Sequence, residues 1–296
     1  MTIKPWHGVV VASALPFNDD LSVDYGAFAD HVRWLAENGC HGITPNGSLG
    51  EYQCLTPEER AKAVEVAVGA APDGFTVVPG TGAYGAREAA QWARQAKEAG
   101  AHALLSLPPN AYRADDDSVV EHYEQIAAVG LPVVAYNNPH DTKVDMSPKL
   151  LARMHAAGLI VAVKEFSGDV RRIYEIQELA PDLDVLVGTD DVVLELAVAG
   201  AKGWIAGYPN ALPAASVQLW KLSVAKDLDK ALPMYWDLHA LLRWDSKTEF
   251  VQAIKLSMDL VGRYGGPSRP PRLPLTDQQE KVVREATEKA IADGLA

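Results

Sequence analysis

Short apolar runs alternate with longer amphipathic stretches along most of this chain. The runs predict strands over residues 8–14, 42–45, 75–79, 103–107, 132–136, 160–164, 184–187 and 203–206. Each is apolar on both faces, and they recur at roughly 20 to 35 residues, the spacing of strand–helix units around a buried parallel sheet. The intervening stretches carry helix signals. Thr56-Pro57-Glu58-Glu59 reads as an N-cap, a first-turn proline and two acids that complement the helix dipole. Residues 87–99 are amphipathic and stop at Gly100, a C-cap signal.

Eight strand–helix units are what a closed (β/α)₈ TIM barrel requires, and about 200 residues suffice for one. An open, doubly wound sheet would place a glycine-rich nucleotide loop after the first strand. Ala12-Ser13-Ala14-Leu15-Pro16 is not such a loop. The α/β barrel is therefore expected. From Ala211 the pattern becomes helical without further strands, with a proline-rich connection at 267–274 and a charged helix at 276–292. The expected division is a catalytic barrel over residues 1–222 and a C-terminal α-helical extension over 223–296.

Composition narrows the function classes. The 39 acidic and 27 basic side chains give a net charge of -12 without any basic run, which argues against nucleic acid. Two cysteines, Cys40 and Cys54, are too few for a disulfide framework or a cysteine-rich metal site. The first residues lack the pattern of a secretory signal, and no window has about 18 uninterrupted apolar residues. A cytoplasmic protein with no membrane partner is expected.

In a barrel of this kind, catalytic groups sit at the C-terminal ends of the strands. Lys164 ends the apolar run Ile160-Val161-Ala162-Val163. Desolvation there favours the neutral amine, which is the form Schiff-base chemistry uses. The competing reading is a lysine paired with Glu165 or Asp169. Tyr136 closes the preceding strand, within reach of Lys164 across a strand spacing of about 4.8 Å, and is a candidate for proton transfer. The plainer alternative is a tyrosine that caps the core. The turn Asn46-Gly47-Ser48-Leu49-Gly50-Glu51 presents backbone N–H groups suited to a carboxylate, although it also serves as an ordinary strand-to-helix connection. The eight histidines form neither an HExxH motif nor a His-x-His pair, and no metal is called. Phosphate-loop and Gly-x-Ser-x-Gly patterns are absent.

Taken together, several segments form an ordered set: Ala14-Leu15-Pro16-Phe17, Gly47-Ser48-Leu49-Gly50-Glu51, Leu55-Thr56-Pro57-Glu58-Glu59-Arg60, Pro79-Gly80-Thr81-Gly82, Pro108-Pro109, Tyr136-Asn137-Asn138-Pro139, Val163-Lys164-Glu165-Phe166-Ser167-Gly168-Asp169, Gly188-Thr189-Asp190-Asp191 and Arg269-Pro270-Pro271. In that order the chain resembles the dihydrodipicolinate synthase and N-acetylneuraminate lyase family of class I, Schiff-base aldolases. The resemblance implies a lyase acting on pyruvate or a longer 2-oxo acid, with Lys164 as the imine-forming lysine and Tyr136 as the proton shuttle. It further implies that Gly47 and Ser48 hold the substrate carboxylate, Ser48 through its hydroxyl, with Leu49 also in the substrate site. Gly188 would belong to the substrate site, and Gly207 would lie near the bound imine. No cofactor is implied, because the protonated imine is itself the electron sink. A homo-oligomer, a dimer of dimers, is the implied assembly.

The chain departs from the family pattern at three places. Leu49 stands where a second hydroxyl residue is usual. The relay tyrosine expected after Pro108-Pro109 aligns with Ala111, with Tyr112 one residue on. Asp141 replaces the arginine that clamps the aldehyde's carboxylate in dihydrodipicolinate synthases. An acid there repels aspartate semialdehyde. His140, Asp141 and Lys143 are accordingly expected to contact a hydroxyl-rich or cyclic part of a different substrate. Alternatives are a dehydratase of a 2-oxo-3-deoxy sugar acid, a deaminase of a hydroxy-pyrroline carboxylate, and a non-catalytic 2-oxo-acid-binding protein.

Overall fold

A computed structural model of the chain describes residues 4–110 and 112–296. Its strands are β1 (Gly8–Ala12), β2 (Gly42–Thr44), β3 (Thr76–Val77), β4 (Leu104–Ser106), β5 (Val133–Asn137), β6 (Ala162–Glu165), β7 (Asp184–Val187) and β8 (Gly203–Ala206). All pair in parallel, in the order β3-β2-β1-β8-β7-β6-β5-β4. The seam between β3 and β4 is closed by His102 N–H to Val77 O, Leu105 N–H to Pro79 O and Thr81 N–H to Leu105 O, each 2.9 Å. The expected (β/α)₈ barrel is the fold.

The helices are α1 (Tyr25–Glu37), α2 (Pro57–Ala70), α3 (Ala86–Ala99), α4 (Asp116–Ala127), α5 (Pro139–Thr142), α6 (Pro148–Ala156), α7 (Arg172–Leu179), α8 (Val193–Ala199), α9 (Pro213–Val224), α10 (Leu228–Leu242), α11 (Phe250–Leu260) and α12 (Asp277–Ala292). Thr56 caps α2 in a full capping box with Glu59, which satisfies two first-turn donors at once. Gly100 ends α3 in the left-handed conformation that only glycine adopts without strain.

Strand alternation explains why the runs are apolar throughout. Val10, Val134, Ala162, Leu186 and Ile205 fill the barrel interior, with Trp6 in the same cluster. Their neighbours Val9, Val11, Val163, Val185, Val187 and Trp204 face outward and pack with residues of the helices. Apart from β3, where Thr76 is half-buried, both faces of the strands are buried, as a closed parallel barrel demands.

The barrel's last helix, α9, runs two residues past 222, so the expected boundary falls in its final turn. The segments beyond are bound tightly to the barrel. Buried Lys255 on α11 donates to Glu51 at 2.9 Å, and the Arg269 N–H donates to the other Glu51 oxygen at 2.9 Å. The Arg269 guanidinium also makes a two-pronged pair with Glu59, both contacts 2.6 Å. Glu51 ends the Gly47–Gly50 turn, so these C-terminal groups fix the backbone that carries it.

Candidate active site

A cavity of about 1070 Å³ opens at the C-terminal ends of the strands. Lys164 enters it from β6 and is register partner to Tyr136 on β5 and Leu186 on β7. The period of two that turns Ala162 inward turns Lys164 inward as well. Only 5% of the residue is exposed. Its Nζ lies 4.3 Å from the Tyr136 ring centroid and 5.5 Å from that of Phe166. Neither acid suggested as a structural partner engages it. Glu165 faces the opposite side and accepts from Asn137 Nδ2 and the Ser167 N–H, while Asp169 binds Arg171. Burial lowers the Lys164 pKa, and the negative fields of Asp245 and Asp190 oppose that shift.

Tyr136 is almost fully buried. Desolvation raises its pKa well above the ordinary phenol value, reinforced by the charges of Asp245 and Asp141. Its hydroxyl accepts from Asn138 Nδ2 at 3.4 Å. The same amide donates to Asp141 Oδ2 at 2.8 Å, so Asn138 links the phenol to the cavity rim. There His140 Nε2 lies 3.3 Å from Ser167 O, and Lys143, held at a positive φ of 60°, reaches back to His140 O. His140, Asp141 and Lys143 all line the cavity.

Across the opening, Gly47, Ser48 and Leu49 line the wall after β2. The turn starts at Asn46 and ends at Glu51, both left-handed, with φ of 58° and 53°. Gly80 allows its close packing, since a Cβ there would lie 2.2 Å from Asn46 O. The turn thus sits opposite Lys164 and Tyr136 in one cavity. Position 111, expected to carry the relay group, lies outside the described residues. Tyr112, one residue on, is exposed.

The model of the dihydrodipicolinate synthetase family matches residues 5–290. The chain belongs to that family. It is 32% identical over 287 residues to the 4-hydroxy-tetrahydrodipicolinate synthase of Methanothrix thermoacetophila, covering 96% of this chain and 97% of the relative. To the enzyme of that name from Syntrophobacter fumaroxidans it is 34% identical over 275 residues, covering 91% and 92%. The crystal structure of chloride-inhibited dihydrodipicolinate synthase from Acinetobacter baumannii, complexed with pyruvate, superposes with a TM-score of 0.92 at 29% identity, covering all of both chains. Membership makes this chain an enzyme of a Schiff-base lyase family, and the alternative of a non-catalytic binding protein is not favoured.

Against the dihydrodipicolinate synthetase background, the barrel mouth contains groups that the sequence reading passed over. Asp245, in the connection between α10 and α11, lines the cavity beside Lys164 and Tyr136. Its neighbour Asp190, fully buried, accepts from Trp204 Nε1 at 2.9 Å, from the Gly207 N–H at 3.1 Å and from the Tyr208 N–H at 2.8 Å. The hydroxyls of Thr44 and Thr189 are buried without hydrogen-bond partners, and both residues line the cavity. Gly188 and Gly207 stand behind the lining, and their smallness answers to packing. A Cβ on Gly188 would lie 2.3 Å from Glu165 O, and one on Gly207 would lie 2.5 Å from Asp245 Oδ1. Among the described residues, no helix is long and apolar enough to cross a membrane.

Proposed function

We propose that Lys164 condenses with the 2-oxo group of pyruvate or a longer 2-oxo acid, and that the imine carries a lyase reaction. The observation behind this reading is the placement of a desolvated amine against Tyr136 at the barrel's catalytic end. A lowered pKa raises the fraction of neutral amine, the nucleophile that adds to the carbonyl. Loss of water gives a protonated imine, which acidifies the adjacent carbon. The resulting enamine attacks an aldehyde, or in the reverse direction is released by C–C cleavage. Tyr136 moves protons at the reacting carbon and oxygen. The turn at Gly47 and Ser48 holds the carboxylate through N–H groups and the Ser48 hydroxyl, and Leu49 adds an apolar wall. No cofactor takes part.

The curated relatives are named as 4-hydroxy-tetrahydrodipicolinate synthases. For this chain the second reaction component differs. Asp141 puts a negative charge at the rim, with His140 and Lys143 beside it, and this set suits hydroxyl or ring nitrogen groups better than a second carboxylate. The catalytic barrel ends with α9, and the residues after it form the extension. The working enzyme is a homotetramer, a dimer of dimers, in the cytoplasm.

Turnover on a panel tests the reading. Wild type and Lys164→Ala are assayed with pyruvate plus aspartate semialdehyde, and with hydroxylated 2-oxo acids and cyclic imines that contain no second carboxylate. Lys164-dependent turnover of the latter group is expected. Efficient turnover of aspartate semialdehyde alone would overturn the assignment of the second component.

A further inference from the structure

The carboxyl of Asp245 has no part in the chemistry above, although it shares the cavity with Lys164 and Tyr136 and its charge acts on both. It is delivered by the C-terminal extension, not by a barrel strand. It lines the cavity with Lys164 and Tyr136, accepts from the Asp190 N–H at 3.4 Å, and occupies the space that a side chain on Gly207 would take. The unpartnered, buried hydroxyl of Thr189 lines the same cavity.

Charged and titratable groups surround it on several elements. Asp190 and Asp191 follow β7, Lys164 is on β6, Tyr136 on β5, Tyr208 follows β8, and Lys247 lies two residues along its own segment. Two buried carboxylates so close cannot both stay ionised at low cost. Hydrogen bonds decide which one holds the proton. Asp190 accepts from three donors besides its link to Asp245, and those bonds favour its anion. Asp245 accepts one longer backbone bond. Burial and the Asp190 charge push its pKa well above the ordinary carboxyl value.

We infer that Asp245 is the catalytic acid and base for carbinolamine collapse at Lys164. The inference rests on the reading of Lys164 as the imine-forming lysine. The neutral amine adds to C2, forming the N–C2 bond as the carbonyl π pair moves to oxygen. Tyr136 relays the nitrogen proton to that oxygen, giving a neutral carbinolamine, and Asp245 acts at the next step. Asp245 then protonates the hydroxyl, the C2–O bond breaks with release of water, and the nitrogen lone pair forms the C=N bond. A neutral amine and a neutral acid become an iminium and a carboxylate. The buried pocket keeps its net charge, and the new cation forms within the field of the Asp245 carboxylate. The reverse steps return the proton to Asp245 on hydrolysis. Asp245 thereby takes a proton-transfer role that the family resemblance assigns to a tyrosine after Pro108-Pro109.

The test is the rate of imine formation with pyruvate, followed by rapid quenching into borohydride from pH 5 to 9. Asp245→Asn preserves shape and the acceptor for the Asp190 N–H. It is expected to slow trapping by roughly 100-fold and to abolish the decline in rate as the Asp245 acid ionises. Asp245→Glu is expected to restore part of the rate together with that decline. Wild type that is never trapped would sink the Lys164 reading itself. Trapping of Asp245→Asn at the wild-type rate and pH profile would overturn the Asp245 role alone. Should Asp245→Asn fail to fold by circular dichroism, Gly207→Ala displaces the same carboxylate, and an unchanged rate in that variant would equally overturn it.

Discussion

Tyr136 and Lys164 are register partners on adjacent parallel strands, and the Lys164 Nζ lies 4.3 Å from the centre of the Tyr136 ring. The amine meets the face of the phenol, while the hydroxyl is bonded to Asn138. Removing only that hydroxyl should leave the pocket's shape and spare pyruvate binding. Tyr136→Phe is expected to lower kcat by about 100-fold or more with little change in the pyruvate dissociation constant. Steady-state kinetics alongside equilibrium binding will check this.

The buried Glu51–Lys255 pair joins the end of the Gly47–Gly50 turn to the extension. Deleting one partner leaves an uncompensated buried charge, at a cost of about 3–5 kcal/mol. Glu51→Gln or Lys255→Met should each lower the urea midpoint substantially. The double variant should recover much of the loss, as measured by equilibrium unfolding.

On the proposed reading, position 141 sets the preference for the second component. Its carboxylate is held by the Asn138 side chain at the cavity rim. Asp141→Arg reverses the local charge and is expected to raise kcat/KM for an aldehyde bearing a carboxylate at least tenfold relative to wild type. Unchanged specificity across the panel would remove Asp141 from this role.

The fold was legible because nearly every strand is buried on both faces, which leaves short apolar runs at regular spacing. Strand ends were less legible, since distant groups decide them. The first run stops at Ala12 instead of residue 14, where the Ala14 N–H turns to the side chain of Asn210. Lys164 and Tyr136 were legible as candidates because each closes an apolar run where a barrel's catalytic groups sit; strand alternation is what turns both inward. Asp245 was not, because it lies in a helix–helix connection with no periodic pattern to flag it. Gly188 and Gly207 were named only through the family resemblance. The backbone of Glu165 and the carboxyl of Asp245 supply the steric reasons.

Acid sensitivity should trace partly to His31. This buried imidazole lies 2.9 Å from Asn210 Oδ1, and desolvation lowers its pKa to about 4. The unfolded chain takes up that proton near pH 6.5, so between these values the unfolded state binds more protons. Stability is therefore full above pH 6.5 and falls as pH drops toward 4. At pH 5 the loss from this one group is about 2 kcal/mol. His31→Gln should show a smaller drop in Tm between pH 7.5 and 5 than wild type, measured by calorimetry.

The most direct measurement is borohydride reduction in the presence of pyruvate, read by intact and peptide mass spectrometry. We expect one reduced pyruvate adduct per chain, confined to the peptide that contains Lys164 and lost in Lys164→Ala. A folded wild-type protein that acquires no adduct, or acquires it on another lysine, would contradict the assignment of Lys164 as the imine-forming residue.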